Sequence, residues 1–213
     1  MKFRRRIPWM LAAVLATAVQ AQTMERVQSD WAHVKYELPQ GQQLEAMQQV
    51  KSRADAAVAA SPKDPGLLIW DGIVTSTLAG LKGGLGALSL AKEARSLLEK
   101  AEGLQPGALE GSALTSLAAL YYQVPGWPIG FGNKDKARAN LQAALKIDPD
   151  GIDTNYFYAD YLYDQGDYPA ARQAAQHALA ATPRPGRELA DKGRRGEIMA
   201  LMQKIGSRTR DGS

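Results

Sequence analysis

Four segments of the chain end alike: "VKSRADAAVAASP" (50–62), "ARSLLEKAEGLQP" (94–106), "ARANLQAALKIDP" (137–149) and "ARQAAQHALAATP" (171–183). Each has alanine five residues before its proline (Ala57, Ala101, Ala144, Ala178) and alanine or leucine three residues earlier still (Ala54, Leu98, Leu141, Ala175). Positions spaced this way share one helical face, and small residues there let another helix approach closely. The proline then stops the helix. A helix with one such face cannot bury it alone, so in-phase copies must stack on one another. The prolines stand 44, 43 and 34 residues apart, so two units carry about ten residues more than the third. The surplus falls at "LKGGLGALS" (81–89) and "VPGWPIGFG" (124–132), both read as expanded turns inside a helical hairpin.

The pattern resembles the tetratricopeptide repeat (TPR), whose usual period is about 34 residues. The best unit is 152–185. Tyr158, Ala159 and Leu162 occupy its first helix, Gly166 and Tyr168 the turn, and Ala171, Ala178 and Pro183 the second helix and its end. Asn155 and Ala175 stand where the repeat usually has aromatics. The resemblance implies an all-α fold: a right-handed solenoid of about three hairpins with flanking helices, forming one domain over 22–205. Helices are expected at 24–36 and 41–60. Hairpins are expected at 64–81 with 86–103, 107–123 with 133–147, and 152–165 with 168–181. A capping helix is expected at 187–205, and 206–213 reads as a disordered tail.

"VPGWPIGFGNKDKA", "GIDTNYFYADYLYDQGDY" and "RELADKGRRGEI" are similar to exported bacterial TPR proteins akin to the T-component of TPR-associated tripartite (TRAP) transporters. That resemblance implies a periplasmic helical scaffold working beside a solute-binding protein or another partner. The N-terminus agrees with export. Lys2, Arg4, Arg5 and Arg6 precede the short apolar run "IPWMLAAVLATAV" (7–19), and Val19-Gln20-Ala21 suits a signal-peptide cleavage site. The expectation is removal of 1–21, periplasmic residence, and membrane contact only through that peptide.

Removal changes the charge argument. The formal net charge of +4 lies wholly in 1–21, leaving 22 basic and 22 acidic residues. Nucleic-acid binding is therefore not expected. The remainder is polarised: 22–183 carries a net −4 and 184–213 a net +4. With no cysteine, packing alone must supply stability.

No catalytic constellation is legible, and the reading is non-enzymatic with no cofactor or metal. His33 and His177 are far apart and lack ligand spacing. "DPDGID" (148–153) ends as an EF-hand would not, because the twelfth position from Asp148 is Ala159. It reads as a turn with Asp153 capping the next helix. The binding candidates come from the helical wheel of 152–165. Asp153, Tyr156, Asp160, Tyr163 and Asp164 fall on one side, where the TPR resemblance implies a concave partner groove. Residues 152–168 contain no Lys or Arg, so the carboxylates are expected to attract a cationic or mixed polar ligand, the basic tail being a rival. Trp127 and Phe131 join the candidates from the 124–132 loop, either packing the hairpin end or touching ligand. The leading reading is a scaffold for a protein segment; the alternative is a small-molecule or hydrophobic-ligand carrier with a Trp/Tyr-lined pocket.

Overall fold

The structure, a computed structural model, describes residues 9–211. Nine helices and no strands occur among them: α1 (Trp9–Tyr36), α2 (Gln40–Ala60), α3 (Pro65–Lys82), α4 (Gly84–Leu104), α5 (Ala108–Gln123), α6 (Lys134–Ile147), α7 (Ile152–Asp164), α8 (Tyr168–Ala180) and α9 (Glu188–Asp211). Residues 1–8 of the expected signal peptide lie outside the described residues. No helix among those described is long and apolar enough to cross a membrane.

The repeated pattern is the packing pattern. α2, α4 and α6 stop two residues before Pro62, Pro106 and Pro149, and α8 three before Pro183, because proline pushes its predecessor out of the helical region. The in-phase positions are buried: Ala54 and Ala57, then Ala94, Leu98 and Ala101, then Ala137, Leu141 and Ala144, then Ala171, Ala175 and Ala178. Side-chain caps start three of the helices, α3, α6 and α8. Asp64 accepts from the Leu67 amide at 3.0 Å, Asn133 from Lys136 at 2.9 Å and Asp167 from Ala170 at 3.2 Å. Consecutive helices pack as hairpins, α3 on α4, α5 on α6 and α7 on α8. α1, α3, α5, α7 and α9 form the inner layer around a groove; α2, α4, α6 and α8 form the outer one. Changing Ala144, fully buried, to Phe overpacks the α5–α6 seam and lowers stability by about 1–3 kcal/mol. The same change at exposed Lys146 leaves the thermal midpoint in place.

Two expectations fail. The 81–89 segment is not an expanded turn: Gly83, at φ 62°, alone separates α3 from α4, donating its amide to Ala79 O at 3.1 Å. One glycine in the left-handed region ends a helix and reverses the chain. The surplus residues instead lengthen the hairpin, to 18 and 21 residues against 13 each for α7 and α8. The tail is not disordered from 206, since α9 continues to Asp211. Ile205 is fully buried, and the Thr209 hydroxyl donates to its carbonyl at 3.2 Å.

The 124–132 loop is present and ordered by its own backbone. The Gly132 amide donates to Pro125 O at 3.0 Å, Gly130 to Gly126 O at 3.1 Å and Asn133 to Tyr121 O at 2.7 Å. Two glycines are needed for close approach. A Cβ on Gly132 would stand 1.9 Å from Val124 O, and one on Gly130 2.4 Å from Pro125 O.

The two ends of the helix array meet. Lys35 Nζ of α1 lies 2.9 Å from the Glu197 carboxylate of α9, the Tyr36 hydroxyl reaches the same carboxylate at 3.4 Å, and the Tyr36 ring packs where Gly193 leaves room. Ala190 of α9 joins a core cluster built otherwise from α1, α2 and α3, including Trp31, Met47 and Trp70. The inner layer is thus closed laterally by contact between its first and last helices.

Candidate functional site

The inner layer encloses a partly covered cavity of about 980 Å³. Three kinds of wall meet there. The first is aromatic. Trp31 of α1 and Trp70 of α3 stand edge-on with ring centroids 5.7 Å apart, and Tyr156 and Phe157 of α7 at 5.1 Å. The second is small and polar: Ser76 and Thr77 of α3 with Ser112, Thr115 and Ser116 of α5. The Thr77 hydroxyl accepts from the Trp31 indole N–H at 2.9 Å and holds that ring in place. The backbone just before this wall is strained, with Leu109 and Glu110 at positive φ of 48° and 56°, a region costly for residues with a Cβ.

The third wall is charged and joins the C-terminal basic segment to Asp153 of α7 and Lys35 of α1. Asp153 at the start of α7 accepts from Arg184 at 2.8 Å and from Arg194 at 2.6 Å. Arg184 also reaches Asp191 at 2.6 Å, and Arg194 reaches Glu197 at 2.5 Å. The Arg194 guanidinium lies 4.3 Å from the Tyr156 ring centroid and 4.8 Å from that of Phe157. Burial alone would raise the Asp153 pKa, but the two guanidiniums hold it well below the usual carboxylate range. Burial opposes charge on Arg194 too, and Asp153, with Tyr36 and Glu197, keeps it firmly protonated. Burial pushes the Tyr156 hydroxyl up to about 12 despite Arg194. Lys35 is drawn below its ordinary value by burial and by Arg194.

Of the seven candidates from sequence, Asp153 and Tyr156 line the cavity; Asp160, Tyr163, Asp164, Trp127 and Phe131 do not. The picture of uncompensated carboxylates is wrong. The rival partner supplied by the basic segment occupies Asp153. Asp160 accepts the Tyr122 hydroxyl at 2.7 Å, and Asp164 pairs with Lys134 at 2.9 Å. Asp153 is not the cap of α7, whose N-cap is Gly151. Tyr163 packs against Tyr168 at 5.5 Å. Phe131 meets Tyr121 edge-on at 5.9 Å beneath the Arg95 guanidinium, 4.4 Å away, and so pins the loop to α4 and α5. Trp127 is 90 % exposed. Trp127→Ala therefore shifts stability by no more than about 0.5 kcal/mol, read as an unchanged thermal midpoint.

Sequence reasoning missed Trp70, Arg184, Arg187 and Arg194 as groove residues. Their one signal was the split between an acidic body and a basic C-terminal segment, which marks complementary surfaces but not which residues meet. No cluster of potential metal ligands occurs among the described residues.

Residues 129–191 match the family model described as tetratricopeptide repeat. The fold is a TPR-like helical solenoid. The structure of TTC0263, a thermophilic TPR protein from Thermus thermophilus, is similar to it with a TM-score of 0.56 at 19% identity, over 74% of this chain and 75% of that one. The structure of MamA gives a TM-score of 0.46 at 15% identity, over 79% of this chain and 91% of that one. No curated protein matches the chain. The TPR match spans the 124–132 loop only from Ile129 onward, then α6, α7, α8 and the start of α9.

Proposed function

We propose that the protein is a non-enzymatic periplasmic TPR scaffold that holds a segment of a partner protein in the inner groove. The observation that carries this reading is the groove itself: α1, α3, α5, α7 and α9 all line it, and Ser and Thr hydroxyls of α3 and α5 share it with aromatic rings of α1, α3 and α7. Ser and Thr hydroxyls suit the polar backbone of an extended segment, and rigid rings bind side chains at small entropic cost. Partners in a transport assembly, such as a solute-binding protein, are in keeping with the sequence resemblance to TRAP-associated components.

A photo-crosslinking residue placed at Ser116 on the groove wall, and separately at outer-face Lys146, tests the reading in cells. Protein adducts at 116 and none at 146 support it; equal capture, or none at 116, removes the groove as the binding surface. Fractionation tests the location, with the mature N-terminus expected at Gln22. Export with Met1 retained would overturn the cleavage.

The contact between α1 and α9 favours a second reading. It narrows access to the cavity, and a volume of about 980 Å³ lies at the upper end of the ordinary small-ligand range. A carrier would retain a ligand on purification, which native mass spectrometry detects as an added mass lost on denaturation.

A further inference from the structure

We propose that the groove grips its partner segment through a single carboxylate, taken by Arg187 against the face of Trp70. The inference rests on the reading of the groove as a peptide-binding surface and names what that surface selects.

The charged wall holds four cations, Lys35, Arg184, Arg187 and Arg194. Three have acidic partners inside the protein. Lys35 pairs with Glu197, Arg184 with Asp153 and Asp191, and Arg194 with Asp153 and Glu197. Three cations thus share three carboxylates. Arg187 forms no ion pair and no side-chain hydrogen bond with any described residue. Its guanidinium carbon lies 4.8 Å from the centroid of the Trp70 ring, and its backbone N–H donates a hydrogen bond to Arg184 O at 3.0 Å. Burial and the neighbouring Arg184 disfavour its charge, and Asp153 and Asp191, at a distance, offset this only in part. A guanidinium resting on an aromatic face is held in place while its N–H fork stays free for two parallel bonds to a carboxylate. An anion arriving there would relieve the repulsion from Arg184 and complete the charge balance of the wall.

The same groove limits how much acid it accepts. Glu110, Asp148 and Asp150 also line it, and burial with Glu110 near by raises the Asp148 pKa. A run of acidic residues would be repelled, whereas one Asp or Glu among uncharged or basic residues fits both walls. Arg187 is therefore a specificity-determining residue, distinct from the cationic ligand that the sequence alone suggested.

The test is a display library of short random peptides selected on the full chain, followed by titration of the enriched peptides by Trp fluorescence. The expected result is a consensus with one Asp or Glu position. Changing it to Asn or Gln, or changing Arg187→Gln in the protein, weakens binding about tenfold or more, and the two changes together weaken it little further. Arg187→Lys recovers only part of the affinity. The thermal midpoint of Arg187→Gln stays at or above that of the wild type, which separates lost recognition from lost folding. Enriched peptides that compete with one another, lack a shared acid and bind Arg187→Gln unchanged would overturn the carboxylate grip while leaving the groove reading intact. Enrichment of no peptide would overturn both.

Discussion

Arg194→Met lowers stability by about 3 kcal/mol at neutral pH, measured by chemical denaturation. Arg194 is 5 % exposed and paired with Asp153 and Glu197, beneath the rings of Tyr156 and Phe157. Removing one member of a buried pair leaves its partner's charge uncompensated, which costs about 3–5 kcal/mol. The lower end applies because Asp153 keeps Arg184 and Glu197 keeps Lys35. The loss is also local in a way that overall stability does not report. Without the guanidinium, α9 loses its ion pair to α7, and Glu197, the carboxylate that meets Lys35 and Tyr36 of α1, loses the group that holds it in place, so amide exchange accelerates in 31–36 and 188–198. Arg194→Lys keeps the charge but loses the fork, and recovers less than half. A variant as stable as the wild type, with unchanged exchange, would show that the charged wall is not holding the helices together.

Lys51→Met produces a loss of similar or greater size with a distinctive pH dependence. Lys51 of α2 is 8 % exposed and bonds Asp55, Asp71 at 3.3 Å and Glu93 at 2.8 Å. Asp71 of α3 is 2 % exposed and also accepts the Thr75 hydroxyl at 3.3 Å. Burial raises Asp71 to about 6 even with Lys51 beside it. A carboxyl raised above its unfolded value near 3.8 contributes stability that is full below that value and lost as pH climbs through about 6. Taking Lys51 away raises the folded value further, so the loss extends to higher pH. The variant is expected to fall behind the wild type by about 3–5 kcal/mol at neutral pH and to recover about 1.4 kcal/mol of that gap near pH 5, because the two proteins part in their titration of Asp71 only above about 6. Pairing Lys51→Met with Asp71→Leu restores most of the neutral-pH stability, because no buried charge is then left alone. A gap that does not change with pH would mean that Asp71 is not the group being stranded.

The fold was legible because its signal is local and periodic. Ala144 and Pro149 speak about one helix and its end, and four copies of that message leave little choice of architecture. Gly83-Gly84 misleads because a pair of glycines marks a break without giving its length. The next residues, Ala87 to Leu90, continue the apolar helical pattern and are the better guide. The site was less legible because its geometry depends on residues distant in sequence. Asp153 finds Arg184 and Arg194, 31 and 41 residues on, and Trp31 finds Trp70. A helical wheel of 152–165 places Asp153 on the correct side but cannot say that the chain returns to neutralise it. Trp127 shows the opposite limit: an aromatic in a glycine-rich loop gives no indication of burial, and only the neighbours of Phe131 distinguish the ring that packs from the one left in solvent.

The meeting of α1 and α9 bears on how this array can evolve and unfold. In an open stack each unit touches only its neighbours, so units can be gained, lost or frayed from either end with small effect on the rest. Here the first and last inner helices share Glu197 through Lys35 and Tyr36. That contact links elements far apart along the stack and is satisfied at one copy number only. Inserting or deleting a hairpin would move the two surfaces out of register. Melting from one end must also break a bond to the other, so the protein is expected to lose its structure in one concerted transition rather than unit by unit.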